Sequence, residues 1–204
     1  HRDLKPENIF LVDRGGAKIL DFGISKIQGA ATRLTDDVAL LGTPAYMAPE
    51  QAEGHGAELD HRCDVFALGA IAYHALTGRR PFTGSSIPAV LRAICDREPP
   101  APSTVREGVP AAVDAVLWIA MAKRASERYD DARVLAADLR TACGGGALDE
   151  ATLLRAQRVT RAQKMTGAPS DHVGAAATVD VAIGSAQTLA GDSAPGTGTG
   201  TGEA

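Results

Sequence analysis

Four polar residues near the start of the chain have side chains suited to chemistry on a phosphate. They are Asp3, Lys5, Asn8 and Asp21, and Asn8 is the only asparagine in the sequence. Carboxylate and amide oxygens are the ligands that Mg²⁺ prefers, and a lysine ammonium binds phosphate oxygens. Each residue taken alone could equally cap a loop or form a turn. The set indicates a cation and phosphate site if the fold brings its members together.

These residues belong to three motifs that follow one another along the chain. The motifs occupy residues 1–8 (HRDLKPEN), 21–23 (DFG) and 42–50 (GTPAYMAPE). Together they resemble the catalytic loop, the metal-binding tripeptide and the end of the activation segment of eukaryotic-type (Hanks-type) serine/threonine protein kinases, bacterial members above all. The resemblance covers roughly residues 1–142. One tripeptide would be weak evidence, whereas three motifs in the family's order and spacing are specific.

The resemblance implies a role in phosphoryl transfer for each polar residue. Asp3 would orient the substrate hydroxyl and accept its proton, and Lys5 would reach the transferring phosphate. A lysine at this place resembles serine/threonine rather than tyrosine kinases. Asn8 and Asp21 would hold Mg²⁺ (or Mn²⁺) against the phosphates of ATP. Phe10 would line the floor beneath adenine, and the alternative is an ordinary core phenylalanine.

Other positions match structural supports of the family. His1 and Phe22 would stack in the hydrophobic spine that links the two lobes, and Gly23 completes the metal-binding tripeptide. Thr43 would bond the catalytic aspartate and lysine, which agrees with a Ser/Thr acceptor.

Three charged residues far apart in the sequence also match the family. Glu50 and Arg128 would form the buried ion pair that anchors the activation segment, and removing one partner of such a pair costs roughly 3–5 kcal/mol. Asp64 matches the carboxylate that holds the main chain of the catalytic loop. All three are expected to support the site rather than take part in the chemistry.

A possible switch lies before the third motif. Arg2 precedes the catalytic aspartate, as in kinases whose activation loop is ordered by an Arg–phosphate pair. We expect Thr35 to be the main phosphorylation site and Thr32 the second. Asp37 occupies a position where bacterial relatives usually have a threonine, so it either substitutes in part for a phosphate or is simply solvated.

The pattern of apolar residues predicts a mostly α unit. Two short apolar runs around the turn at 13–16 predict a β-hairpin, and residues 24–47 read as a long loop, the activation loop. Residues 64–77 are apolar almost all round and end at Gly78, which predicts a buried central helix. Further helices are predicted around it. We therefore expect a kinase C-lobe: a small hairpin, an activation loop and helices around a buried helix.

Composition changes after residue 143. Residues 1–143 form the predicted C-lobe, and 144–204 form a Gly/Ala/Thr-rich tail with a possible short helix at 149–165. From about 166 onward few large apolar residues remain, so we expect disorder. The basic stretch 155–164 could bind partners, or could be a solvated helix face.

Overall charge and hydropathy exclude several function classes. The net charge is -4 and the pI about 5.7, so no general attraction for nucleic acid is expected. Three widely spaced cysteines (Cys63, Cys95, Cys143) predict reduced thiols rather than a disulfide or zinc framework. No apolar run is long enough to span a membrane, and we expect a cytoplasmic protein.

Two functions remain open. The first is a kinase that transfers the ATP γ-phosphate to Ser/Thr hydroxyls of protein substrates. The second is a non-catalytic kinase-like module for docking or regulation. No glycine-rich loop, strand lysine or helix glutamate of the family's N-lobe precedes His1, so we expect a fragment that is inactive by itself.

Overall fold

The computed structural model describes residues 1–13, 15–20, 44–54 and 59–166 of the chain. Helices dominate these residues, and one two-stranded antiparallel sheet is present among them. The prediction of a mostly α unit with a small hairpin is therefore confirmed. Most of the predicted activation loop and the predicted tail beyond Thr166 lie outside the described residues.

The hairpin pairs β1 (Ile9–Val12) with β2 (Gly16–Ile19), with Ile9 opposite Ile19. Gly15 lies in the turn at a φ of 81°, where only glycine avoids a steric penalty, and its N–H donates to the carbonyl of Val12. Nearly all side chains of the hairpin are exposed. The strands therefore depend on their ladder and on the segments that flank them, more than on a core of their own.

The predicted central helix is α2 (Arg62–Thr77), and it ends where Gly78 adopts the left-handed conformation. Val65, Phe66 and Ala70 on this helix are almost fully buried. The apolar run predicts burial all round, but Leu68, Ile71 and Ala72 are only partly buried, so one side of α2 is buried more deeply than the other.

Helix α5 (Ala111–Ala120) is buried as deeply as α2 and packs against it. The contact is close at Gly69 of α2, where an added Cβ would lie 2.8 Å from the Cβ of Ala120. The glycine therefore sets how near the two helices can come.

The remaining helices surround this pair. Ser86 caps α3 (Ile87–Asp96) by accepting from the N–H of Ala89. Asp131 caps α6 (Ala132–Cys143) by accepting from the N–H of Arg133. The other bounds are α1 (Pro49–Ala52), α4 (Pro102–Val105) and α7 (Glu150–Thr166), with 3-10 turns at Pro6–Asn8, Pro44–Tyr46 and Ala125–Glu127. Across the described part of the chain, none of the helices combines the length and apolar character that crossing a bilayer requires.

Helix α7 forms where a helix was expected, at 149–165, and it packs against α5. Ala156 and Val159 on its inner side are buried. The expectation of a solvated basic face holds at Arg158 and Arg161, which are exposed, and is wrong at Arg155, which is half-buried.

Candidate active site

Asp64 holds the main chain at the start of the first motif. Its two carboxylate oxygens accept from the main-chain nitrogens of His1 at 2.7 Å and Arg2 at 2.8 Å. Arg2 has a φ of 66° and is the one non-glycine residue with a positive φ among those described. This conformation is unfavourable for a residue with a Cβ, so Asp64 and the surrounding fold must hold it in place.

The side chains of Asp3 and Lys5 lie beside each other. The Lys5 ammonium is 3.5 Å from a carboxylate oxygen of Asp3, and each side chain is 27% exposed. A carboxylate and an ammonium that are both partly exposed can meet a hydroxyl and a phosphate that arrive from solvent.

Asn8 is buried directly beneath this pair. The side-chain amide nitrogen of Asn8 donates to the carbonyl of Asp3 at 2.9 Å, and its main-chain N–H donates to the carbonyl of Lys5. Because the nitrogen is used within the loop, the amide oxygen is the atom suited to ligate a hard cation.

The end of the hairpin is tied to the same loop. The N–H of Leu20 donates to the carbonyl of Asn8 at 2.8 Å, and the His1 imidazole bonds the carbonyl of Leu20 at 3.1 Å. Leu20 is the residue before Asp21, so the chain leaves the described hairpin next to Asn8. Phe10 of β1 is 58% exposed, and its role stays a prediction.

Several expected site residues cannot be located. Asp21, Phe22, Gly23, Thr32, Thr35 and Thr43 all lie outside the described residues, as does Asp37. Their roles stay predictions.

Gln51 is a support that sequence reasoning missed. Its side-chain amide donates to the carbonyl of Arg2 at 2.9 Å, and its side-chain oxygen accepts from the N–H of Ala48 at the start of α1. The residue thereby links the first motif to the third. The local signal is a glutamine three residues after the helix cap, but the cap is an alanine, which hides the pattern.

Glu50 and Arg128 form a bidentate ion pair with two distances of 2.7 Å. Arg128 is fully buried, and its other three N–H groups donate to the carbonyls of Ala122, Arg62 and Lys123. All five guanidinium donors therefore have partners, which is the condition under which a buried charge is tolerated.

A second pair beside the third motif was not predicted. The Tyr46 hydroxyl lies 2.7 Å from Nδ1 of His74 on α2, and the two rings stack. Burial, followed by the nearby Arg80 guanidinium, lowers the pKa of His74 below its usual value. A neutral imidazole nitrogen can accept a hydrogen bond from the tyrosine hydroxyl, so the pair fixes the segment 44–46 to α2.

The family model for the protein kinase domain matches residues 1–133. The chain belongs to the protein kinase family. The matched residues include the loop that carries Asp3 and the ion pair of Glu50 with Arg128. The contacts described above therefore lie within the part of the chain that matches the kinase family.

Named bacterial relatives agree with this membership. Serine/threonine-protein kinase Pkn1 of Myxococcus xanthus is 50% identical over 133 residues, which cover 63% of this chain and 19% of that protein. PknL of Mycobacterium tuberculosis is 41% identical over 139 residues, 68% of this chain and 34% of that protein. PknB of the same species is 41% identical over 140 residues, 68% of this chain and 22% of that protein. The chain thus spans between 19% and 34% of the length of these relatives.

Proposed function

We propose that the chain supplies the catalytic loop and activation segment of a serine/threonine protein kinase. The reaction moves the γ-phosphoryl group of ATP to a Ser or Thr hydroxyl of a protein. The observation that carries this proposal is the contact of Asp3 with Lys5 on a loop held by Asp64. The names of the relatives, all serine/threonine kinases, support the same acceptor class.

The protein's part in this reaction is positioning and charge. Asp3 orients the acceptor hydroxyl and takes its proton, and Lys5 balances charge on the phosphoryl oxygens as the proton leaves. The same 3.5 Å contact keeps the Asp3 carboxylate oriented beside the Lys5 ammonium. Asn8 bonds the main chain of both Asp3 and Lys5, so their side chains are positioned before the substrate binds.

The donor set fits a hard divalent cation such as Mg²⁺. The Asn8 amide oxygen would be one ligand and the Asp21 carboxylate another, and both are oxygen donors. When bound, the cation neutralises phosphate charge. Phe10 would support the adenine, because its exposed ring offers an apolar surface close to the loop.

Replacing Asp3 by Asn in the natural protein tests the proposal. Asp3→Asn keeps the shape but removes the base, so we expect phosphate transfer from ATP to fall by roughly 10²–10⁴-fold. Asp13→Asn, in the exposed turn of the hairpin, is the matched control and should keep full activity. If the wild-type protein transfers no phosphate but still binds partners, the alternative of a docking module replaces the kinase.

We also propose that a polypeptide of these 204 residues alone is inactive. Its sequence contains neither the glycine-rich loop nor the strand lysine that hold the ATP phosphates in the family. Incubation with ATP and a generic basic protein measures this, and strong phosphorylation would refute it.

A further inference from the structure

Helix α7 lies beyond residues 1–133, the part that matches the kinase family, yet it is joined to the core. Ala156 belongs to the same buried cluster as α2 and α5, and Val159 is 2% exposed. Burial of these two small side chains gives modest stabilisation, and polar contacts add to it.

The main polar contact is made by Arg155. Its Nε donates to the carbonyl of Glu127 at 3.1 Å, and a second guanidinium nitrogen donates to the carbonyl of Arg128. The guanidinium also lies over the ring of Tyr129, 5.5 Å from its centre. One side chain of α7 therefore holds three consecutive residues, 127–129.

Further bonds fix the start of α7 to α6. Asp138 of α6 accepts from the Tyr129 hydroxyl at 3.0 Å and from the Thr152 hydroxyl at 3.3 Å. Asp149 caps α7 by accepting from the N–H of Thr152 at 2.7 Å. The segment 127–129 is thus enclosed between α6 and α7.

Arg128 connects this enclosed segment to the third motif. Its carbonyl faces Arg155, while its side chain extends into the core and binds Glu50. The guanidinium groups of Arg128 and Arg155 can both lie near residue 128 because the Glu50 carboxylate neutralises the charge of Arg128. A shift of the main chain at residue 128 would move the Arg128 guanidinium away from the five acceptor oxygens that it binds.

We propose that Arg155 is a positioning residue that holds Arg128 in reach of Glu50. Through this contact α7 stabilises the end of the activation segment, although the helix lies outside the matched kinase region. The coupling between α7 and residues 48–54 is a property of the fold. Its consequence for substrate binding rests on the proposed function.

Hydrogen exchange on the natural protein tests the coupling with two variants. Arg155→Ala should speed amide exchange in residues 48–54 and 125–131 by roughly tenfold, since it removes two hydrogen bonds from a charged donor. Arg158→Ala changes the same residue type on the exposed side of α7 and should leave both segments as in wild type. If Arg155→Ala speeds exchange within α7 alone, the proposal is wrong.

Arg155→Lys separates positioning from general loss of stability. A lysine keeps the charge but reaches a single carbonyl, so exchange at 48–54 should lie between wild type and Arg155→Ala. Equal exchange in the lysine and alanine variants would mean that the two-carbonyl contact is irrelevant.

Kinetics then decide the functional consequence. In Arg155→Ala we expect a several-fold higher KM for the protein substrate and an unchanged KM for ATP. An equal rise in both would overturn a selective effect on the activation segment. A natural protein without any kinase activity would refute the proposed function, while the exchange data would still decide the coupling.

Discussion

Arg128 donates two hydrogen bonds of 2.7 Å to the carboxylate of Glu50, a residue 78 positions earlier in the chain. The arginine is fully buried and is surrounded by carbonyl oxygens and by the ring of Phe66. The pair therefore joins the third motif to the turn before α6. Its geometry determines how firmly the third motif is anchored.

Loss of this arginine should be costly. Arg128→Ala leaves the largely enclosed Glu50 carboxylate without its partner, so we expect the free energy of unfolding to fall by about 3–5 kcal/mol. Arg92→Ala, which breaks the exposed pair of Arg92 with Asp96 on α3, should cost about 0.5 kcal/mol or less. Urea denaturation measures both, and similar losses would contradict the burial argument.

Asp64 offers a test of the loop rather than of global stability. Asp64→Asn replaces one acceptor oxygen by an NH₂ group that faces an N–H donor, so the strained Arg2 should relax and misplace Asp3. We expect phosphate transfer to fall by about a hundredfold, the effect of a displacement near 1 Å.

The control for Asp64→Asn is Asp114→Asn. Asp114 is also largely buried and also accepts two hydrogen bonds, from the N–H and the hydroxyl of Ser103. That variant should be less stable but, well below its melting temperature, should keep its activity. Equal activity losses in the two variants would show that the effect of Asp64 is not local.

The sequence predicted best those parts of the structure that depend on residues close together in the chain. The hairpin follows from two apolar runs and a glycine turn, and α2 follows from a continuous apolar run that ends at Gly78. The motifs placed Asp3, Lys5 and Asn8 on one short loop, where the structure finds them together.

Contacts made across the fold could not be predicted in the same way. Gln51 reaches the carbonyl of Arg2, 49 positions away, and no local pattern encodes a bond to a distant main chain. In the sequence Arg155 is one member of a basic stretch, and nothing local separates it from Arg158. Its contact with the ring of Tyr129 in the folded chain makes the difference. Both residues depend on tertiary packing, which single-sequence periodicity does not report.

Close packing of α2 on α5 gives a third prediction. Gly69→Ala places a methyl group 2.8 Å from the Cβ of Ala120, which should cost about 1–3 kcal/mol of stability despite the better helix propensity of alanine. Adding Ala120→Gly removes the opposing methyl group, so the double variant should be more stable than the sum of the two single changes predicts. If the stability changes of the two single variants simply add in the double variant, the clash with Ala120 is excluded.

Lys123 gives a prediction about pH. Its ammonium donates to the carbonyl of Ile94 at 2.6 Å and lies 4.2 Å above the ring of Phe82. Burial lowers the pKa of Lys123 to about 7, with Arg128 acting in the same direction and Cys95, Glu98 and Asp96 against it.

The sign follows from proton binding. Between pH 7 and about 10.5 the unfolded chain keeps a proton on this lysine that the folded chain has lost, so stability rises with pH in that window. Burial raises the pKa values of Cys63 and Cys95, which act in the opposite direction above about pH 8.5. Measurements should therefore cover pH 6.5–8.5.

Urea unfolding of wild type and Lys123→Met across this range isolates the effect. The stability of wild type relative to Lys123→Met should increase with pH, because the methionine cannot titrate and its lost hydrogen bond is a constant offset. Lys18→Met, on the exposed hairpin, should follow the wild-type slope. Parallel pH curves for wild type and Lys123→Met would mean that the Lys123 ammonium stays protonated in the folded chain, and that burial does not outweigh the contacts with Phe82 and the Ile94 carbonyl.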